Sequence, residues 1–110
     1  MKLWKLLACA PFVFAGATAQ AEPDPAEVQD ILSKNSCLAC HAVDKKMVGP
    51  AYQDIAAKHE DDDDAAELLA KHIREGSSGV WGQVPMPPNP GISEEDTDTV
   101  VEWILAGAPE

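Results

Sequence analysis

Cys37-Leu38-Ala39-Cys40-His41 is the stretch that decides how this chain is read. Two cysteines one helical turn apart, followed at once by histidine, have four candidate chemistries. A zinc site needs four ligands, and the chain offers no second cysteine pair to complete one. A dithiol redox motif follows a strand and opens a helix, and no strand-crossover-strand pattern is present. A structural disulfide across two residues closes too small a loop to stabilise much. Covalent haem attachment needs this spacing. The two thiols add to the two vinyl groups as thioethers, which leaves the histidine beneath the iron as its proximal ligand. Haem c is therefore the expected cofactor, with Cys37 and Cys40 as anchors and His41 as iron ligand.

The N-terminus agrees with that reading. Lys2 and Lys5 precede an apolar run, and Ala19-Gln20-Ala21 has the small-x-small form of a cleavage site. Residues 1–21 are read as a secretory signal and residues 22–110 as one domain. Leu6-Leu7-Ala8-Cys9 also has the form of a lipoprotein box, but its apolar segment is short. Haem c is attached outside the bacterial cytoplasm, so a periplasmic location is expected. No stable membrane anchor is expected in the mature chain.

Composition adds a constraint. The formal charge is −11, and the leader removes two lysines and no acid. So acidic a chain is not built for nucleic acid or anionic lipid. It suits transient partners with a basic docking face. After cleavage only Tyr52, Trp81 and Trp103 remain as aromatics. A domain this small buries little surface and needs a staple at its centre. A large apolar ring supplies one.

The expected fold is all-α, four short helices with no strand. Asp24-Pro25-Ala26-Glu27 is a helix start, with Val28, Ile31 and Leu32 as its stripe and an end near Asn35. Tyr52 to Lys58 forms a second helix with Ile55 and Ala56 inward, leaving His59 exposed beside the acidic run 60–64 (EDDDD). That run reads as a solvated loop or helix N-terminus; calcium binding would need alternating acids and a glycine. Ala65 to Glu75 is the third helix, with Leu68, Leu69, His72 and Ile73 on one face and Gly76 as its stop. Ser93 caps the fourth, whose buried face is expected to hold Thr97, Val100, Val101, Ile104 and Leu105.

Between the last two helices lies Gln83-Val84-Pro85-Met86-Pro87-Pro88-Asn89-Pro90. No helix or central strand runs through such a stretch. A methionine in a core is usually filler, yet filler needs no rigid frame. The candidates for a sixth iron ligand are Met47, Met86, His59 and His72. Met47 is too near His41 to reach the other face, and Met86 lies far enough along the chain to do so. Met86 is therefore the expected metal ligand with His41.

CLACH, KKMVGPAY and GVWGQVPMPPN, in that order and spacing, resemble the bacterial class I cytochromes c of the c-551 (c8) type. The resemblance covers nearly all of residues 22–110. It implies a class I cytochrome c fold around one covalent haem and a periplasmic one-electron carrier, expected to be a monomer and not an enzyme. Its partners would be respiratory, such as a nitrite reductase, peroxidase or terminal oxidase. It implies that the Pro50 carbonyl accepts the proximal imidazole N–H. It further implies that Trp81 and His72 serve a haem propionate, and that Asn89 hydrogen-bonds near the Met86 sulfur. Two features depart from the pattern: the acidic run, and a link at 89–93 that is one residue longer. The competing reading is a haem ligand-binding or peroxidase-like protein with a displaceable methionine.

Overall fold

Four helices follow in order, and each begins and ends where local chemistry directs it. The structure, a computed structural model, describes residues 22–110. The leader read at 1–21, with Cys9 and the cleavage site, lies outside the described residues. Helix α1 spans Pro25–Lys34. Asp24 accepts from the Ala26 amide at 3.1 Å, Pro25 enters where no amide is needed, and Lys34 faces the negative helix end. The Asn35 side chain and backbone amide both donate to the Ile31 carbonyl, and Ser36 turns left-handed (φ 60°). That turn delivers the chain into a short 3-10 turn, Cys37–Ala39.

Helix α2, Tyr52–His59, has no side-chain cap and depends on its packed face. Tyr52, Ile55, Ala56 and His59 are buried, the i, i+3, i+4, i+7 stripe of an amphipathic helix. The expectation for His59 is corrected here. It is only 5% exposed, because it completes that stripe rather than joining the acidic loop beyond it. Its Nδ1 lies 3.5 Å from Asp62. The rest of the acidic run is solvated and leads into helix α3, Ala65–Glu75. Among the described residues no acidic, histidine or cysteine side chains cluster as a metal site, that run included.

Helix α4, Glu94–Leu105, opens on Ser93, whose hydroxyl accepts from the Asp96 amide at 3.0 Å. Glu94, Glu95 and Asp96 meet the positive helix end. It packs against α1, α2 and α3 and is the spine of the core. A second correction concerns its inner face. Leu105 is exposed, and Trp103 takes the interior at 1% exposure. The reason is beyond the helix end: Gly107 and Ala108 turn with positive φ and fold the C-terminus back. The Trp103 indole then donates to the Pro109 carbonyl at 2.9 Å. Burying each such large side chain contributes roughly 1.5–3 kcal/mol.

No strand is present among the described residues. One isolated antiparallel bridge joins Ser77 to Met86.

Candidate functional site

A cavity of about 480 Å³ opens between the helices and the proline-rich segment. Its inner walls include Leu32, Ile55, Leu69, Ile92, Val100 and Ile104, one or two residues from each helix plus the link before α4. Cys37, Cys40, His41, Pro50, His72, Trp81 and Met86 line the same space. The described helices thus turn their apolar stripes partly onto one another and partly onto this cavity.

The Cys37–His41 segment is ordered by its own backbone. The amides of Cys40 and His41 both reach the Cys37 carbonyl, at 3.1 and 3.0 Å. Both thiols are free and half-buried. Burial pushes the Cys37 thiol above its ordinary range. His41 is 8% exposed, and its Nδ1 lies 2.8 Å from the Pro50 carbonyl oxygen. That contact makes Nδ1 the donor and leaves Nε2 with its lone pair free. Tyr52 stacks on the imidazole with centroids 5.0 Å apart, and Trp103 meets Tyr52 edge-on at 5.2 Å. The ligand candidate is thus braced through two aromatics to the core.

The loop that carries Pro50 closes back on the motif. The Gly49 amide donates to the Cys40 carbonyl at 2.8 Å. A Cβ on Gly49 would lie 2.5 Å from His41 Cε1, so only glycine lets the loop come so close. In the sequence only the Gly49-Pro50 pair, a turn signal, stands at this point, and nothing local marks the contact with His41.

On another wall, the Met86 segment runs past the end of α3. The amides of Ser77 and Met86 exchange hydrogen bonds at 3.1 and 2.8 Å. Met47 and His59 are not among the residues that line the cavity. His72 is half-buried on the cavity wall. Burial first, then the nearby His59 and Lys71, hold its imidazole below the ordinary histidine range. Trp81 is 42% exposed, and the Lys58 ammonium sits 5.1 Å from its ring centroid. Asn89 stands apart from the cavity lining. Its side-chain amide donates to the Asn35 carbonyl at 3.1 Å, which ties the Met86 segment to the turn before Cys37.

The donor set fits haem c. Two free thiols one 3-10 turn apart can form both thioethers, and an imidazole with Nδ1 engaged can offer Nε2 to iron. A thioether opens onto the same apolar space. A magnesium or calcium site would want carboxylates, and no Asp or Glu is among the residues lining this cavity.

Comparison with known proteins decides the matter. The cytochrome c family profile matches residues 25–108.

The chain belongs to the cytochrome c family.

Among relatives of this cytochrome c, cytochrome c-552 of Nitrosomonas europaea is 58% identical over 76 residues, 69% of this chain and 74% of that one. Cytochrome c-551 of Pseudomonas aeruginosa is 45% identical over 107 residues, 96% of this chain and 98% of its own. The crystal structure of wild-type Nitrosomonas europaea cytochrome c552 superposes with a TM-score of 0.69 at 56% identity, covering 72% of this chain and 98% of that one. The class 1 cytochrome MtoD of Sideroxydans lithotrophicus matches at a TM-score of 0.65 and 28% identity, covering 76% and 96%. The fold is that of a class I cytochrome c, and the cofactor is haem c, held through Cys37 and Cys40.

Proposed function

We propose that this cytochrome c is a periplasmic one-electron carrier whose haem iron is held between His41 and Met86. The observation that carries the reading is the 2.8 Å contact of His41 Nδ1 with the Pro50 carbonyl, in a cavity that Met86 also lines. That contact fixes the tautomer and the ring plane, so Nε2 is presented to metal without further rearrangement.

Haem c supplies reversible one-electron chemistry, and the polypeptide decides what else can reach it. A thioether ligand favours the ferrous state and raises the potential relative to two imidazoles. If His41 and Met86 both hold the iron, no position would be left for oxygen or peroxide, as a carrier rather than a peroxidase requires. Pro85, Pro87, Pro88 and Pro90 stiffen the segment around Met86, so little must move when the charge of the site changes. Trp81 and His72 are assigned to the propionate end, where an indole N–H and an imidazole can each donate. Asn89 is assigned to the Met86 segment, where its bond to Asn35 uses one amide hydrogen and leaves the other for the thioether sulfur.

The acidic surface directs the partner. A formal charge of −11 favours brief, salt-sensitive encounters with a basic docking face on a respiratory redox enzyme. Lys34, Lys45 and Lys46 lie close in sequence to the cysteines, a small positive collar where the cofactor edge would emerge. The secretory pattern at residues 1–21 supports export to the periplasm. No described helix is long and apolar enough to cross a membrane.

Spectra of the purified protein, oxidised and reduced, with a mass taken after denaturation, test the reading. Covalent haem and a near-infrared methionine–iron band in the oxidised state are expected. Rapid, complete carbon monoxide binding by the reduced protein at neutral pH would replace the carrier with a ligand-binding protein.

A further inference from the structure

The segment that carries Met86 is held by the end of α3 as well as by its own prolines. At that end Gly76 adopts φ +81°, and its amide donates to the His72 carbonyl at 3.0 Å, closing the helix. The next residue, Ser77, makes the two-way bridge to Met86. The Ile73 carbonyl accepts from the Asn89 amide at 3.0 Å, so the segment is also fastened beyond Met86.

Gly76 is the tightest point of that junction. A Cβ there would lie 2.6 Å from the Met86 carbonyl oxygen, 3.0 Å from the Pro88 nitrogen and 3.2 Å from the Pro87 carbonyl carbon. All three atoms are backbone, and none can swing aside as a side-chain tip would. Two of them belong to prolines, whose fixed φ removes the usual means of relaxing. A side chain at position 76 must therefore push the Met86 segment away from α3, or break the bridge.

We propose that Gly76 is a positioning residue for Met86, one that sets how far the thioether can stand from the metal. The proposal rests on the reading of Met86 as an iron ligand. An iron–thioether bond is weak, so its persistence depends on how closely the backbone confines the sulfur. Gly76 supplies that confinement from outside the proline segment, by letting α3 close directly onto the Met86 carbonyl. The proline frame and the helix end then grip one residue from two sides.

The test uses the full haem-bearing protein and its Gly76→Ala, Gly107→Ala and Met86→Ala variants, titrated with imidazole when oxidised. Gly107 also has positive φ (+104°), yet a Cβ there meets nothing within 4 Å, so Gly107→Ala carries the backbone strain alone. Wild type and Gly107→Ala should resist imidazole and Met86→Ala should bind it readily. Gly76→Ala should keep its haem and bind imidazole at least about tenfold more tightly than wild type, equivalent to ~1.4 kcal/mol. Gly76→Ala matching Gly107→Ala would overturn the positioning role. Wild type binding as readily as Met86→Ala would instead overturn the ligand reading beneath it. If Gly76→Ala does not fold, amide hydrogen exchange of the wild type decides. The Ser77 and Met86 amides should be protected and should lose protection together once imidazole is raised until the spectrum shows it bound; fast exchange in its absence, or unchanged protection in that imidazole-bound form, overturns the proposal.

Discussion

Gly49 lies flat against the imidazole of His41, so close that a Cβ would fall 2.5 Å from Cε1 and 2.9 Å from Nδ1. The ring cannot yield easily, because Nδ1 is held by the Pro50 carbonyl and Tyr52 stacks on it. Gly49→Ala is therefore an overpacking change, and such changes cost ~1–3 kcal/mol. The haem-bearing variant should unfold at lower denaturant with an unchanged slope. Because the strain falls on the proposed iron ligand, the near-infrared methionine–iron band expected of the proposed His41 and Met86 pair should also shift. A variant with wild-type midpoint and band would show that the loop yields freely and that the close approach is incidental.

Met86→Ala removes the thioether from the cavity lining and should leave both cysteine anchors intact. Haem should remain attached, the near-infrared band should vanish, and the potential should fall. The reduced variant should bind carbon monoxide readily. Persistence of the band would assign the sixth position to another residue.

Trp103 tests the core independently of iron. It is 1% exposed, meets Tyr52 edge-on and donates to the Pro109 carbonyl. Trp103→Ala should cost ~3–5 kcal/mol. Equilibrium unfolding in urea measures it, with Trp103→Phe falling between. A loss confined to the C-terminal turn, with the transition otherwise unmoved, would show that the tryptophan only pins the chain end.

The residues that were legible in the sequence are those whose chemistry is local. Cys37, Cys40 and His41 announce themselves by spacing, and Asp24, Ser93 and Gly76 mark helix ends because caps and stops act on their own backbone. His59 and Leu105 were misplaced because burial is not local. His59 belongs to the Tyr52 stripe by period, but the acidic residues beside it argued for solvent. Trp103 displaces Leu105 from the interior because the C-terminus folds back over it, a turn made after the helix has ended. Gly49 and Gly76 could be read as turn residues but not as contacts. What they touch is far away in sequence or across a loop, and a missing side chain leaves no pattern.

The Met86 segment itself offers a graded test. Pro85→Ala and Pro87→Ala each restore freedom to the unfolded chain, at a cost of about 0.4–1 kcal/mol in stability where the native φ suits proline. Haem attachment should not change, since Cys37 and Cys40 lie elsewhere. Displacement of Met86 by imidazole should become easier in each. Equal resistance in both variants and the wild type would mean that the prolines are spectators and that the bridge to Ser77 alone holds the ligand.

His72 gives a prediction whose sign depends on what stands beside it. Within the polypeptide, burial and the neighbouring His59 and Lys71 lower its pKa. A histidine so depressed contributes stability above its unfolded value, roughly 6.5, and loses it as pH falls through the folded value. A haem propionate beside it acts the other way, favouring the imidazolium. Its stability contribution would then be present at low pH and lost as pH rises through the folded value. Reduction adds one negative charge to the site and favours the proton further, so the potential should fall with rising pH between about 5 and about 8. His72→Ala should flatten that slope. Proton NMR titration of the wild type in each oxidation state measures the histidine directly. A His72 that titrates identically in both oxidation states does not sense the charge of the haem, and its assignment to the propionate end then fails whatever the potential does.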